Sequence, residues 1–162
     1  MALEASVGGA AANSYVTQAA ASSYFTNRLD VAEWTAASSS DKDAALMMAT
    51  ARLEAESYVG YKTSFTQRLS WPRFSTYDRD DMLYASDAIP LVIQQATFEL
   101  ALALLREPTL LGDTGLEGFQ NVKLGSLDVT PRNLAASQLP AFVKQLIQPV
   151  RASGSGTHVA RG

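Results

Sequence analysis

Cysteine is absent and histidine occurs once. The first absence excludes disulfides, thiolate metal sites and cysteine nucleophiles, and it fits a cytosolic product without fixing the redox compartment. The second removes the usual general base from any packed region, because the single His158 stands four residues from the C-terminal end. Gly-rich phosphate loops, paired histidines on a helix, Gly-x-Ser-x-Gly turns and zinc-ligand spacings are all missing. The expectation is therefore a protein that is not an enzyme and needs no cofactor.

Positive charge is also scarce. Thirteen Lys/Arg against sixteen Asp/Glu give a net charge of −3 and a pI near 5.1, which argues against a dedicated nucleic-acid binder with a broad basic face. The longest apolar stretch, LVIQQATFELALALLR, contains Gln94, Gln95 and Glu99 and falls short of the ~20 apolar residues that span a bilayer. The N-terminus, MALEASVGGAAANSYVTQ, has no basic segment followed by an apolar run and so does not read as a secretory signal. These features predict a soluble protein with no membrane partner.

What is present is enough for one domain: 162 residues, 47% hydrophobic, a size that buries roughly 70% of the unfolded chain's surface. The expected fold class is mainly α, a small helical bundle with one β-hairpin and an extended C-terminal tail. Residues 1–12 read as a flexible N-terminus, 13–148 as the helical domain and 149–162 as an extended arm. Thr17 caps a helix carrying Ala20, Tyr24 and Phe25, and a short helix around VAEWTAAS places Trp34 as a core anchor.

In SSSDKDAALMMATARLEAESYVG, Ser40 and Asp43 suit a capping box and Gly60 a stop. This helix has two apolar stripes at 3.6-residue spacing, Leu46, Ala49 and Leu53 on one side and Met47, Ala51, Ala55 and Tyr58 on the other. The second stripe suits either a central position in a bundle or a subunit interface. IPLVIQQATFELALALLRE, with Pro90 in its first turn, reads as the buried central helix, leaving a narrow polar stripe of Gln95, Glu99 and Arg106 in which Glu99 is taken as exposed.

The period then changes. VKLGSLDV alternates about a Gly125-Ser126 turn, which predicts a hairpin at about 120–130 that pairs Leu124 with Leu127, Val122 with Val129 and Lys123 with Asp128. SQLPAFVKQLIQ is a short amphipathic helix with Leu139, Phe142, Val143, Leu146 and Ile147 on one face. VRASGSGTHVARG is composed as a flexible tail.

Charge is unevenly spread: residues 1–118 hold eight Lys/Arg against fifteen Asp/Glu, and residues 119–162 hold five against Asp128 alone. Either the surface is simply uneven, or a basic C-terminal arm meets an acidic surface on another copy or another protein.

RLSWPRFSTYDRDD, residues 68–81, is the one stretch with the ingredients of a binding site. Trp71, Phe74 and Tyr77 could stack on unpaired bases while Arg68, Arg73 and Arg79 hold phosphates. Against that, Asp78, Asp80 and Asp81 would repel a phosphate backbone, and Trp71 before Pro72 reads as a ring plugged into the core. A structural anchor is the preferred reading: a connecting loop whose rings face the core and whose charges face solvent or a neighbour. The same three aspartates could hold a divalent cation, but the glycine and terminal glutamate of a calcium loop are missing, so a solvated loop is expected.

NSYVTQAAASSYF, the W…AAS…DKDAALMMAT segment, YKTSFTQRLSWPR, IPLVIQQATFELALALL and VKLGSLDV follow one another in an order that resembles a family of tailed-phage head-tail connector proteins, or neck adaptors. Relatives there often carry a DnaT-like single-stranded-DNA-binding label. The resemblance covers about residues 13–147, and LSWPR followed by IP before an apolar helix is its most specific part.

It implies a structural ring, usually twelvefold, beneath the phage portal, joining it to the next neck or tail-completion protein and letting DNA pass without specific binding. The protein would sit in the virion neck and, during assembly, in the host cytoplasm. On that resemblance the portal-contacting arm would include Phe142, Lys144, Ile147, Val150, Arg151, His158, Val159 and Arg161. The subunit interface would include Met47, Ala51, Ala55, Tyr58, Lys123 and Asp128, and Trp71 with Pro72 would pin the long loop. The alternative function is a single-stranded-DNA-binding replication accessory using Arg68, Trp71, Arg73, Phe74, Tyr77 and Arg79.

Overall fold

The computed structural model of the protein describes residues 2–108, 110, 122–124, 127–129 and 139–152. Among them the chain is mainly helical. Helix α1 spans Gln18–Phe25, α2 Ala32–Ala36, α3 Ser39–Glu54, α4 Leu91–Arg106 and α5 Ala141–Ile147, the last running into a 3-10 turn, Gln148–Val150. Strands β1 (Tyr61–Lys62) and β2 (Arg73–Phe74) pair antiparallel, as do β3 (Val122–Leu124) and β4 (Leu127–Val129). No described helix is long and apolar enough to cross a membrane.

Helix α4 is the axis of the bundle and packs against α2, α3 and α5. Residues Ala96 to Leu102 are buried without a break, as expected of a helix covered on several sides. Pro90 precedes the first helical residue as N-cap. From α3, the expected stripe of Leu46, Ala49 and Leu53 is fully buried against it. Two aromatic contacts fix α1 and α2 to the same core: Phe25 meets Trp34 at 4.8 Å, and Tyr24 stacks on Phe98 at 4.9 Å between centroids.

Helix α3 begins two residues earlier than its sequence suggests. Ser38, not Ser40, is the cap: its Oγ accepts from the Asp41 N–H at 3.1 Å and donates to the Asp41 carboxylate at 2.7 Å. The sequence offers the same Ser-x-x-Asp spacing twice, and the earlier register also frees Ser39 to donate to Gln18. The helix ends at Glu54, well before Gly60, because Tyr58 turns back into the core and its hydroxyl donates to the Leu53 carbonyl at 2.8 Å. Tyr58 is thus buried and lies off the helix, so it cannot belong to a subunit-facing stripe. Met47 is half-buried, while Ala51 and Ala55 are exposed.

Glu99 is not on an exposed stripe. It is buried, and its carboxylate accepts from Arg28 Nε at 2.8 Å, Arg28 Nη2 at 3.0 Å and the Tyr24 hydroxyl at 2.8 Å. Burial alone would raise its pKa, but the bonds from Arg28 and Tyr24 outweigh that and hold the carboxyl below the usual range. Burial and Glu99 push the Tyr24 phenol up to about 12. At the C-terminal end of α4, Arg106 pairs with Asp30 at 2.9 Å and Glu33 at 3.2 Å.

Both termini of the described chain differ from the sequence reading. Residues 2–12, expected as a loose lead, form a hydrogen-bonded loop in which Glu4 O accepts from Asn13 and Ser14, Gly9 O accepts from Arg68 N, and Ala12 is buried. The expected extended arm does not begin at Pro149. Val150 is fully buried, its carbonyl accepts from Val59 N at 3.0 Å, Ala152 N donates to Ser57 O at 2.8 Å, and Arg151 pairs with Glu56 at 2.7 Å. The apolar side chains of Ile147 and Val150 gain more from the core than from a solvent-exposed arm. The strands β3 and β4 have the expected register, with Lys123 opposite Asp128; their side chains, like His158, Val159 and Arg161, lie outside the described residues.

Val150→Ala is expected to lower stability by about 2 kcal/mol, read as a lower urea midpoint at unchanged slope; an arm free of the core would show no change. Glu99→Gln is expected to cost about 1.5–2 kcal/mol at neutral pH, the lower part of the range for charged hydrogen bonds because Arg28 is a third exposed. A carboxyl whose folded pKa is depressed stabilises fully above its unfolded value of about 4.3 and loses that contribution as pH falls through the folded value. The Gln variant should therefore show a flatter acid limb in a stability profile taken below about pH 5.

Candidate nucleic-acid interface

Between α3 and α4 the chain leaves the bundle as the β1–β2 ribbon. Gly60 starts it with φ +71°, and a Cβ there would stand 2.3 Å from the Phe74 carbonyl oxygen, so the turn requires glycine. Tyr61 pairs with Phe74 and Lys62 with Arg73. This second two-stranded unit is not signalled by any alternating run, since each strand has only two residues.

The ten residues that join β1 to β2 fold inward rather than looping into solvent. Trp71 is 1% exposed and meets Tyr58 edge-on at 5.6 Å, with Pro72 buried beside it. Several of the loop's polar groups are matched internally, although the Trp71 indole N–H is buried without a hydrogen-bond partner among the described residues. Gln67 Nε2 donates to the carbonyls of Leu69 (2.9 Å) and Pro72 (3.0 Å), and its Oε1 accepts from Ser64 N at 2.9 Å. Glu54, at the end of α3, accepts from Ser70 N at 2.9 Å and Ser70 Oγ at 3.1 Å, and also from the Tyr15 hydroxyl. Burial first, and Glu54 second, push the Tyr15 phenol far up, so it remains a donor.

Arg73 is consumed by the same framework. Its guanidinium donates to the carbonyls of Gly60 (2.5 Å), Val59 (2.7 Å), Ser70 (3.2 Å) and Tyr58 (3.3 Å), and burial lowers its pKa. Trp71 and Arg73 are therefore structural and cannot meet a ligand directly. Of the other residues in the stretch, Phe74 is 44% and Tyr77 50% exposed, which corrects the expectation that all three rings face the core. Arg68 is exposed, and its guanidinium has no partner among the described residues.

The ribbon adds two aromatic residues that the sequence reading passed over. Tyr61 is 67% exposed and lies 5.4 Å from Phe74, ring to ring, at an interplanar angle of 31°. Phe65, at the tip, is as exposed as a free side chain. Lys62 completes the group, its Nζ donating to Arg68 O at 3.1 Å and Gln67 O at 3.4 Å. One signal could have pointed here: from Ser57 to Tyr77 the chain has six aromatic residues, Lys62, Arg68 and Arg73, and no acidic residue.

Two of the aspartates that argued against this stretch, Asp78 and Asp80, border a cleft on another side of the molecule. Asp78 Oδ1 accepts from the N–H groups of Asp80 and Met82, each at 2.9 Å, closing a tight turn. Asp78, Arg79 and Asp80 border an open cleft of about 710 Å³ that also includes Arg28, Glu99 and Phe142. Arg79 Nη2 reaches Gln145 O on α5 at 3.4 Å, so Arg79 belongs to that side of the molecule. Among the described residues no three acidic or imidazole groups converge as a metal site. Of the arm residues, Phe142 is exposed on the cleft rim and Lys144 is half-buried, whereas Ile147 and Val150 are core.

No curated protein and no solved structure matches the chain. The model of a family described as "Putative DnaT-like ssDNA binding protein" matches residues 1–162, the whole length, and the chain belongs to that family.

Proposed function

We propose that the protein binds single-stranded DNA on the β1–β2 ribbon, without turnover and with little sequence preference. The observation that carries this reading is the exposed Tyr61–Phe74 pair on a segment that has no carboxylates and bears Lys62 and Arg68. Every base has a π-face, so stacked rings hold unpaired bases regardless of sequence, and two nearby cations hold the phosphates between them. A face this small suits an acidic protein: attraction is local, and the remaining surface repels the strand instead of wrapping it.

A second reading is the head-tail connector, a ring beneath a phage portal. The number of large apolar side chains left in water favours it: Met82, Leu83 and Leu91 are each more than 60% exposed, and Phe142 borders the cleft. Surfaces of this kind commonly mark contacts between proteins. Met47, Ala51 and Ala55 on α3 would be part of a contact between copies, and Phe142 with Lys144 part of the portal-facing side.

Fluorescence anisotropy of a labelled oligothymidylate separates the two. The expected result is binding whose affinity falls with salt at a log–log slope of about −1.4, from two phosphate contacts at about 0.7 each. Tyr61→Ala and Phe74→Ala should each weaken it by about 1–3 kcal/mol, with the urea midpoint essentially kept. No binding at low salt, together with copy numbers near those of the portal protein in gradient-purified particles, would overturn the first reading in favour of the second.

A further inference from the structure

The three exposed rings of the ribbon and its tip are not equivalent. Tyr61 and Phe74 lie 5.4 Å apart at 31°. A base between them would need about 6.8 Å, twice the 3.4 Å stacking rise, so this pair can cap a stack but cannot admit a base. Each ring is also partly covered by its neighbour. Phe65 differs: its exposure, 109% of the reference value, leaves both faces of the ring in water. A ring free on both faces can enter between two bases, which a half-covered ring cannot do.

The backbone that carries Phe65 is held in place. Ser64 N donates to Gln67 Oε1 at 2.9 Å, Thr66 N to Ser64 Oγ at 3.2 Å, and Ser64 Oγ and Thr66 Oγ1 lie 2.9 Å apart. Gln67, which anchors that turn, is itself buried. An apolar ring presented in water by a preorganised turn loses little conformational freedom on insertion. It stands four positions along the chain from Tyr61, a reach of at most about 14 Å, or about four nucleotide steps of a stacked strand.

On these grounds, and resting on the single-strand reading above, we infer that Phe65 is an insertion residue and that the DNA it takes is a junction, where a single strand meets paired bases. The single strand lies on Tyr61 and Phe74, and Phe65 enters the first base step beyond it. Parting a base step is costly in intact duplex and least so where pairing has already ended, so the ring acts at the boundary and not within the duplex. Lys62 and Arg68 flank the tip with positive charge, which favours a phosphate-bearing partner over an apolar pocket on another protein.

The test uses the full chain and three labelled probes: a single strand, a blunt duplex, and a duplex with a single-stranded overhang that has 2-aminopurine at its first paired position. The expected result is about tenfold tighter binding to the overhang probe than to the single strand, the equivalent of one added base–aromatic stack, with a rise in 2-aminopurine emission as the base is unstacked. Phe65→Ala should erase the preference and the emission change while leaving single-strand affinity within about twofold, since one ring of the platform carries far more. Phe65→Tyr should retain both.

Equal affinity of the wild type for overhang and single strand overturns this inference alone. Absence of single-strand binding removes the reading beneath it as well. A Phe65→Ala chain that loses self-association in sedimentation, with DNA binding unaltered on all probes, assigns the ring to a protein contact and overturns the junction role.

Discussion

The carboxylate of Glu54 holds three distant stretches of chain at one point. Because it is the last residue of α3, its position is fixed by the helix, and from there it accepts from the backbone and hydroxyl of Ser70 and from the hydroxyl of Tyr15. The N-terminal loop, the long helix and the loop between β1 and β2 therefore share an acceptor. Trp71 is adjacent to Ser70, so the same bonds that satisfy the carboxylate keep the indole in the core. A charge at such a site is tolerable only with several donors around it. Arg73 supplies the opposite charge nearby while spending its own donors on four carbonyls. Everything the ribbon displays outward depends on this arrangement beneath it.

Helices were legible because their signals are repetitive. The buried stripe Leu46, Ala49 and Leu53, the unbroken apolar face of α4 and the cap at Thr17 each rest on spacing that the sequence displays directly. The register of β3 and β4 followed from alternation and a two-residue turn. The β1–β2 ribbon left no such trace, since two residues per strand cannot show a period and its pairing is set by Gly60 and Gln67 outside the strands and by the bonds of the Arg73 side chain to carbonyls beyond them.

At the site, Trp71 was legible as an anchor because a large ring before proline has few other uses. The exposure of Phe74 and Tyr77 depends on a loop path that the same anchor reading does not encode. Val150 looked like tail because a Gly/Ser-rich segment follows it, yet one buried side chain and two backbone bonds are enough to draw it in. The burial of Glu99 is illegible for a related reason: its partner, Arg28, is 71 residues away in sequence.

The division of labour among cations is informative. In a chain with few lysines and arginines, Arg73 and Arg28 are used up inside the structure, Arg106 and Arg151 pair with carboxylates, and Lys62 and Arg68 stand at the ribbon. An acidic protein can thus present a small positive face without being basic overall. Net charge, a sound guide for broad contact surfaces, says little about a contact a few nucleotides long.

The strip formed by Ser57 to Val59 at the root of β1 is completed only by Val150 to Ala152, through two backbone bonds and the Tyr58–Arg151 bridge. Those partners are made about ninety residues later on the ribosome, a delay of roughly 5–20 s at ordinary elongation rates. Through that interval α3 and the ribbon loop can already be in place, but the root of the ribbon lacks its outer neighbour. The nascent chain therefore exposes its aromatic face before that face is braced, and protection of Tyr61, Phe65 and Phe74 from premature contacts falls to chaperones or to speed.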